Sequence, residues 1–138
     1  VRYEWRGCFV DDEVNALHAD AFGHRPFDDN WTALVERHSL GWVTARLGDR
    51  LVGFVNVIWD GLVHAWIQDE MVATGSRGRG IGRALVAVAG REAGAEGCEW
   101  LHVDFDDGLE SFYYAACGFT PTNGGLIRLR GNDPERSL

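Results

Sequence analysis

Apolar positions along the chain change period several times, and each change marks an element. From Asp11 to Phe22, Val14, Leu17, His18 and Ala21 fall on one side of a helix, with Asp11 and Asp12 available as caps. A turn-rich stretch around Pro26 follows. Trp31, Leu34, Val35 and His38 then repeat at helical spacing in a shorter segment ending near Gly41. Trp42 to Leu47 and Leu51 to Trp59 are rich in Val, Phe and Trp, and Gly48-Asp49-Arg50 joins them as a tight connection, so they predict a hairpin. After the turn at Asp60-Gly61, Val63 to Val72 extends the meander by a third strand.

The clearest helix runs from Gly80 to about Glu96, with Ile81, Ala84, Leu85, Val88 and Ala89 as its apolar stripe and Gly97 at its stop. Trp100 to Phe105 reads as a short buried strand, and Leu109 to Cys117 as a helix closed by Gly118. Phe119–Thr120 and Leu126–Leu129 are expected to be closing strands around the Pro121-Thr122-Asn123-Gly124-Gly125 turn. This order predicts an α/β (mixed α+β) layer with one parallel crossover through the Gly80 helix. At 138 residues, without repeats or linkers, one domain over residues 1–138 is expected.

Composition narrows the function. Hydrophobic residues make up 46% of the chain, enough for a core, and the net charge of −8 argues against a nucleic-acid surface. That charge is compatible with a cationic acceptor, as well as with solubility alone. No apolar run reaches the length of a membrane span, and Val1 to Trp5 has no signal-peptide pattern. Cys8, Cys98 and Cys117 are too scattered for a disulfide framework, so a reduced, cytoplasmic protein is expected. Cys98 and His102 lack a second ligand pair, so no metal is expected. No G-x-S-x-G elbow points to a serine hydrolase.

Chemistry concentrates at Gly75-Ser76-Arg77-Gly78-Arg79-Gly80-Ile81-Gly82-Arg83. A strand delivers the chain, glycines clear the approach, and a helix starts at once. Unpaired N–H groups and the positive end of the helix dipole lie there, and Arg77, Arg79 and Arg83 add cationic donors. A pyrophosphate fits. The chain contains no lysine, which excludes the Walker loop, and the dinucleotide fingerprint meets Leu85 or Arg83 where its last glycine belongs.

At these residues the chain resembles the GNAT superfamily of acyl-CoA-dependent N-acetyltransferases, whose signature R/Q-x-x-G-x-G/A is filled by Arg77, Gly80 and Gly82. Phe112-Tyr113-Tyr114-Ala115-Ala116-Cys117-Gly118-Phe119 resembles the family's second signature. The resemblance implies a twisted, mostly antiparallel mixed sheet with helices on both faces and a splayed pair of parallel central strands. It implies acetyl-CoA as cosubstrate, with Met71, Val72 and Ala73 along the pantetheine arm and Gly78 through Arg83 on the pyrophosphate. Tyr114 stands where the family carries its general acid; adjacent Tyr113 competes for that position, and the one turned away serves as core or cofactor packing. Glu70, which shares strand parity with Val72, and then Asp69 are the candidate bases, and a bulge would disturb that parity. His102 with Asp104, and Trp31, Trp59 and Trp66, are open to an acceptor-side role. The implied activity is acetyl transfer to a primary amine of a small molecule. A protein or peptide amine, a non-catalytic acyl-CoA sensor and a homodimer also remain open.

Overall fold

The computed structural model describes residues 1–131 and 136. Its strands are β1 (Arg2–Trp5), β2 (Ser39–Leu47), β3 (Arg50–Trp59), β4 (His64–Val72) and β5 (Trp100–Val103), and its helices are α1 (Asp11–Phe22), α2 (Trp31–His38), α3 (Ile81–Ala95) and α4 (Ser111–Ala116). The strands form one sheet in chain order, antiparallel except for the β4–β5 pair.

Local chemistry sets the helix ends. Glu13 reaches back to the Val10 N–H at 3.0 Å, while the Asp11 carboxylate accepts from Thr32 N–H and Oγ1 at 2.9 and 2.6 Å. Asp11 therefore ties the starts of α1 and α2 together instead of capping its own helix. Gly23, in the left-handed region at φ 72°, closes α1. The Asn30 side chain caps α2 by accepting from Ala33 N–H at 2.9 Å.

Two cores flank the sheet. Val43, Val52, Val55, Val57, Ala65 and Ile67 face α3, meeting Ile81, Leu85 and Ala89. On the other face Leu51, Phe54 and Met71 meet Val14 and Leu17 of α1 and Trp31 and Val35 of α2. Each face sheds water from a different set of strand side chains, so helices are held on both sides. Gly53 lets α3 come close: a Cβ there would lie 3.0 Å from Leu85 Cδ1 and 3.1 Å from Ile81 Cγ2.

Several boundaries differ from the sequence reading. The strand β1 was not anticipated; its four residues alternate exposed and half-buried, too short a signal to stand out. Strand β2 starts at Ser39, directly after α2, because the chain passes from helix to strand without a loop. Strand β5 stops at Val103 rather than Phe105. Helix α4 is one widened turn, with Cys117 N–H donating to Phe112 O five residues back at 2.9 Å.

The closing strands expected at Phe119–Thr120 and Leu126–Leu129 do not form. Leu126, Ile127 and Leu129 are 63%, 80% and 85% exposed, so no burial offsets the entropy of ordering them. Among the described residues β5 is consequently the last strand, and the parallel pair lies at the sheet's edge instead of its centre.

The α1/α2 core depends on Phe54, which is fully buried and meets the Phe9 and Trp31 rings edge-on at 5.5 and 5.9 Å. Phe54→Ala is expected to lower unfolding stability by about 3–5 kcal/mol. Urea titration should show the midpoint falling with an unchanged slope.

Candidate active site

Strand β4 carries the site because it outlasts its neighbour. Its parallel pairing with β5 ends at Ile67 opposite Val103, yet the strand continues to Val72. Over that length the pairing with β3 also shifts: between Asn56–Gln68 and Phe54–Met71, β4 has one residue more than β3. The extra residue makes a bulge, with Asp69 in the left-handed region at φ 54°.

The bulge decides which carboxylate takes which face, since regular alternation from Ile67 would have turned Asp69 toward α3. Glu70 points toward α3, on the same side as Val72, as its parity suggested. A Cβ on Gly82 would lie 2.7 Å from Glu70 Oε1 and 3.1 Å from the Phe112 ring, so a side chain there would have to displace the Glu70 carboxylate. Glu70 Oε1 is buried without a hydrogen-bond partner. Desolvation lifts its pKa to about 7, against the pull of the Arg77 charge. Asp69 faces α1 instead, with Oδ1 3.9 Å from His18 Nε2. Its pKa is raised to about 6, by desolvation first and by the Asp29 charge second.

The glycine loop follows β4 through the short helical turn at Thr74–Ser76. Gly78 and Gly80 sit at φ 78° and 77°, with open space where a Cβ would be. Gly80 starts α3 without a side-chain cap, no acid lies in the first turn, and the first helical bond is Ala84 N–H to Gly80 O at 3.1 Å. The amides of Ile81, Gly82 and Arg83 precede that bond, leaving an uncapped, accessible anion cradle. Earlier in the loop, Ser76 Oγ is buried and likewise without a hydrogen-bond partner. Arg79 and Arg83 are exposed. Arg77, in contrast, donates from Nη2 to Ala21 O at 2.8 Å and joins the loop to the end of α1. Asp20 makes a second tie by accepting from Thr74 N–H and Oγ1 at 2.8 and 2.9 Å.

Tyr113 and Tyr114 separate cleanly. Tyr113 is buried and stacks on Phe105 at 4.6 Å, edge-on to Phe112 and Phe119. Burial, then the charges of Glu70 and Cys117, push its pKa up. Tyr114 is half-buried and meets Phe105 edge-on at 5.3 Å. It lines an open trough of about 1130 Å³ between α3 and β5, with Arg83, His102 and Asp104.

The other sequence candidates divide. Trp31 is core: it is 4% exposed, and its Nε1 donates to Asn15 Oδ1 at 3.1 Å. Trp66 stacks on His102 at 4.9 Å, and His102 Nε2 lies 2.8 Å from His64 Nδ1, a partner the sequence did not suggest. Asp104 lies past the end of β5, and Trp59 is 37% exposed at the end of β3. Sequence reasoning placed His18 only on an apolar helix face. A lone histidine among apolar positions was the available signal. Among the described residues no three His, Cys, Asp or Glu side chains group as a metal site requires, and no helix is long and apolar enough to cross a membrane.

A mixed sheet whose parallel pair parts beside a glycine-rich helix start is the architecture of GNAT-type acetyltransferases. The model of the acetyltransferase (GNAT) family matches residues 4–119, and the chain belongs to that family. An acetyltransferase from Trypanosoma brucei is 20% identical with a TM-score of 0.74, covering 94% of this chain and 99% of its own. A ribosomal-protein-alanine N-acetyltransferase from Brucella melitensis biovar Abortus 2308 is 21% identical with a TM-score of 0.72, covering 94% and 100%. An aminoglycoside acetyltransferase from an uncultured soil metagenomic sample, in complex with trehalose, is 17% identical with a TM-score of 0.76, covering 96% of each chain. At these identities the likeness is one of fold. No curated protein matches the chain significantly.

Raised carboxyl pKa values have a stability consequence. The folded state holds the Glu70 and Asp69 protons more tightly than the unfolded chain, whose values lie near 4.5 and 3.8. Their contribution is therefore complete below about pH 4 and is lost as pH rises through about 6 to 7. His18, whose pKa burial lowers, titrates in the opposite sense, so variants must be compared with the parent. Glu70→Gln should gain stability relative to the parent from pH 5 to pH 8, on the order of 1 kcal/mol or more. Parallel urea-midpoint curves across that range would contradict the buried carboxyl.

Proposed function

We propose that the protein transfers an acetyl group from acetyl-CoA to a primary amine of a small molecule, by direct attack within a ternary complex. The observation that carries this reading is the free edge of β4 beyond Ile67, ending beside the uncapped start of α3. Met71, Val72 and Ala73 offer that edge to an extended pantetheine arm, in the manner of an added strand. Amides from Gly78 to Arg83 hold the pyrophosphate, with Arg79 and Arg83 beside it. Acetyl-CoA supplies the thioester carbonyl, which lies where β4 and β5 part.

An alkylamine with a pKa of about 10 arrives protonated, so attack requires a base. Asp69 suits the acceptor side, since it faces away from the glycine loop and its desolvated carboxyl titrates near 6. Glu70, under the first turn of α3, faces the donor side. Tyr114, accessible in the trough with Arg83, is the donor for the departing thiolate. Tyr113 is enclosed by rings and packs the donor side.

Tyr114→Phe is expected to lower kcat about 10²-fold with little change in the KM for acetyl-CoA, because the group acts only as the thiolate leaves. Steady-state kinetics over a panel of small amines and peptide N-termini would measure this and choose between the acceptor classes. Acetyl-CoA binding without turnover on any of them would establish a sensor instead. Gly80→Val places a β-branched residue at positive φ, a strain of about 1–2 kcal/mol. It should raise the KM for acetyl-CoA about tenfold while Phe54 stays buried, as near-ultraviolet circular dichroism would report.

A further inference from the structure

Among the described residues, β5 has β4 on one side and no strand on the other. Such an edge presents a row of backbone N–H and C=O groups to any strand that can reach it. Its side chains fall into two rows. Leu101 and Val103 pack on the core under α3, where Val86 and Ala87 line the trough beside them. Trp100 and His102 face the other way, with His102 stacked on Trp66 and Trp100 62% exposed. Past the end of the strand Asp104, Asp106, Asp107 and Glu110 are all exposed, so this end of the edge is acidic.

The segment from Leu126 to Arg130 has the complementary pattern. Ile127 and Leu129 alternate with Leu126, Arg128 and Arg130, the period of a strand with one wholly apolar face. One register along β5 puts Ile127 and Leu129 on the row of Leu101 and Val103, where they cover the apolar side of the trough. The same register puts Arg128 and Arg130 on the row of Trp100 and His102. Their guanidinium groups there meet an indole face and the acids beyond the strand. A slip of one residue would reverse both rows and lose both matches.

The chain does not make this pairing with itself. It lines the trough as far as Leu126, yet Ile127 and Leu129 remain exposed. Trp100 and Leu126 both line the trough, so the edge and the start of the segment share one apolar surface. We propose that a second copy of this chain covers it, in a twofold dimer where each Leu126–Arg130 segment pairs with β5 of the other copy. A twofold axis satisfies both edges by the same contact, so the pairing closes instead of propagating. Charge favours this occupant, since the segment is basic and the end of the edge acidic. The added strand forms the outer wall of the trough that holds Tyr114 and Arg83. The pairing does not depend on the acetyltransferase reading.

Sedimentation equilibrium should give twice the 15.3 kDa of one chain. Ile127→Arg puts a charge on the row that faces α3 and should raise the dimer Kd at least about a hundredfold. Ile127 is exposed in the single chain, so the far-ultraviolet circular dichroism of the variant should match the parent's. Hydrogen exchange locates the contact. The outer-edge amides of Trp100 to Val103 should exchange slowly in the parent and faster in Ile127→Arg. A parent that stays monomeric at every concentration overturns the proposal; slow β5 amides in that monomer show that its own segment closes the edge. A dimer that survives Ile127→Arg, or one whose outer β5 amides stay unprotected, also overturns it, because the contact then lies elsewhere.

Discussion

Strand β4 packs Ile67 and Val72 into the same core beneath α3, although they are five residues apart. A regular strand would put them on opposite faces. The extra residue at Asp69 resolves this, and nearly every feature of the site depends on it. It lets Met71 reach the opposite core beside Phe54 and exchanges the faces that Asp69 and Glu70 would otherwise take. It also falls where β5 leaves, so the strand edge that opens lies directly after it. A non-glycine residue in the left-handed region costs about 1–3 kcal/mol and persists only when its surroundings over-determine it. Met71 and Ile67, buried in different cores on either side, supply that constraint.

Helix α1 links the two halves of the site through the residues of its last turns. Asp20 and Ala21 O anchor the glycine loop at Thr74 and Arg77. One turn earlier, His18 faces Asp69. Its closing glycine turns the chain so that His24 returns onto His18. The glycine loop and the His18–His24 pair are thus both tied to the last turns of α1, and a shift of α1 would disturb both.

Features set by local period could be read from the chain: α1 between its acids and Gly23, α3 after its glycines, and the β2–β3 hairpin around Gly48. The parity of Glu70 with Val72 could be read too, because it spans only two residues after the bulge. Features that require pairing across loops could not. Strand β1 is defined by its register on β2, from Arg2 opposite Arg46 to Trp5 opposite Val43, and no period in four residues announces that. Trp31 resembled a pocket aromatic until Asn15, sixteen residues away, was seen to satisfy its indole N–H. His18 looked like core because its partners come from a turn six residues on and from a strand beyond two further strands. The Leu126–Leu129 segment had strand-forming residues, but it stays exposed and pairs with no strand.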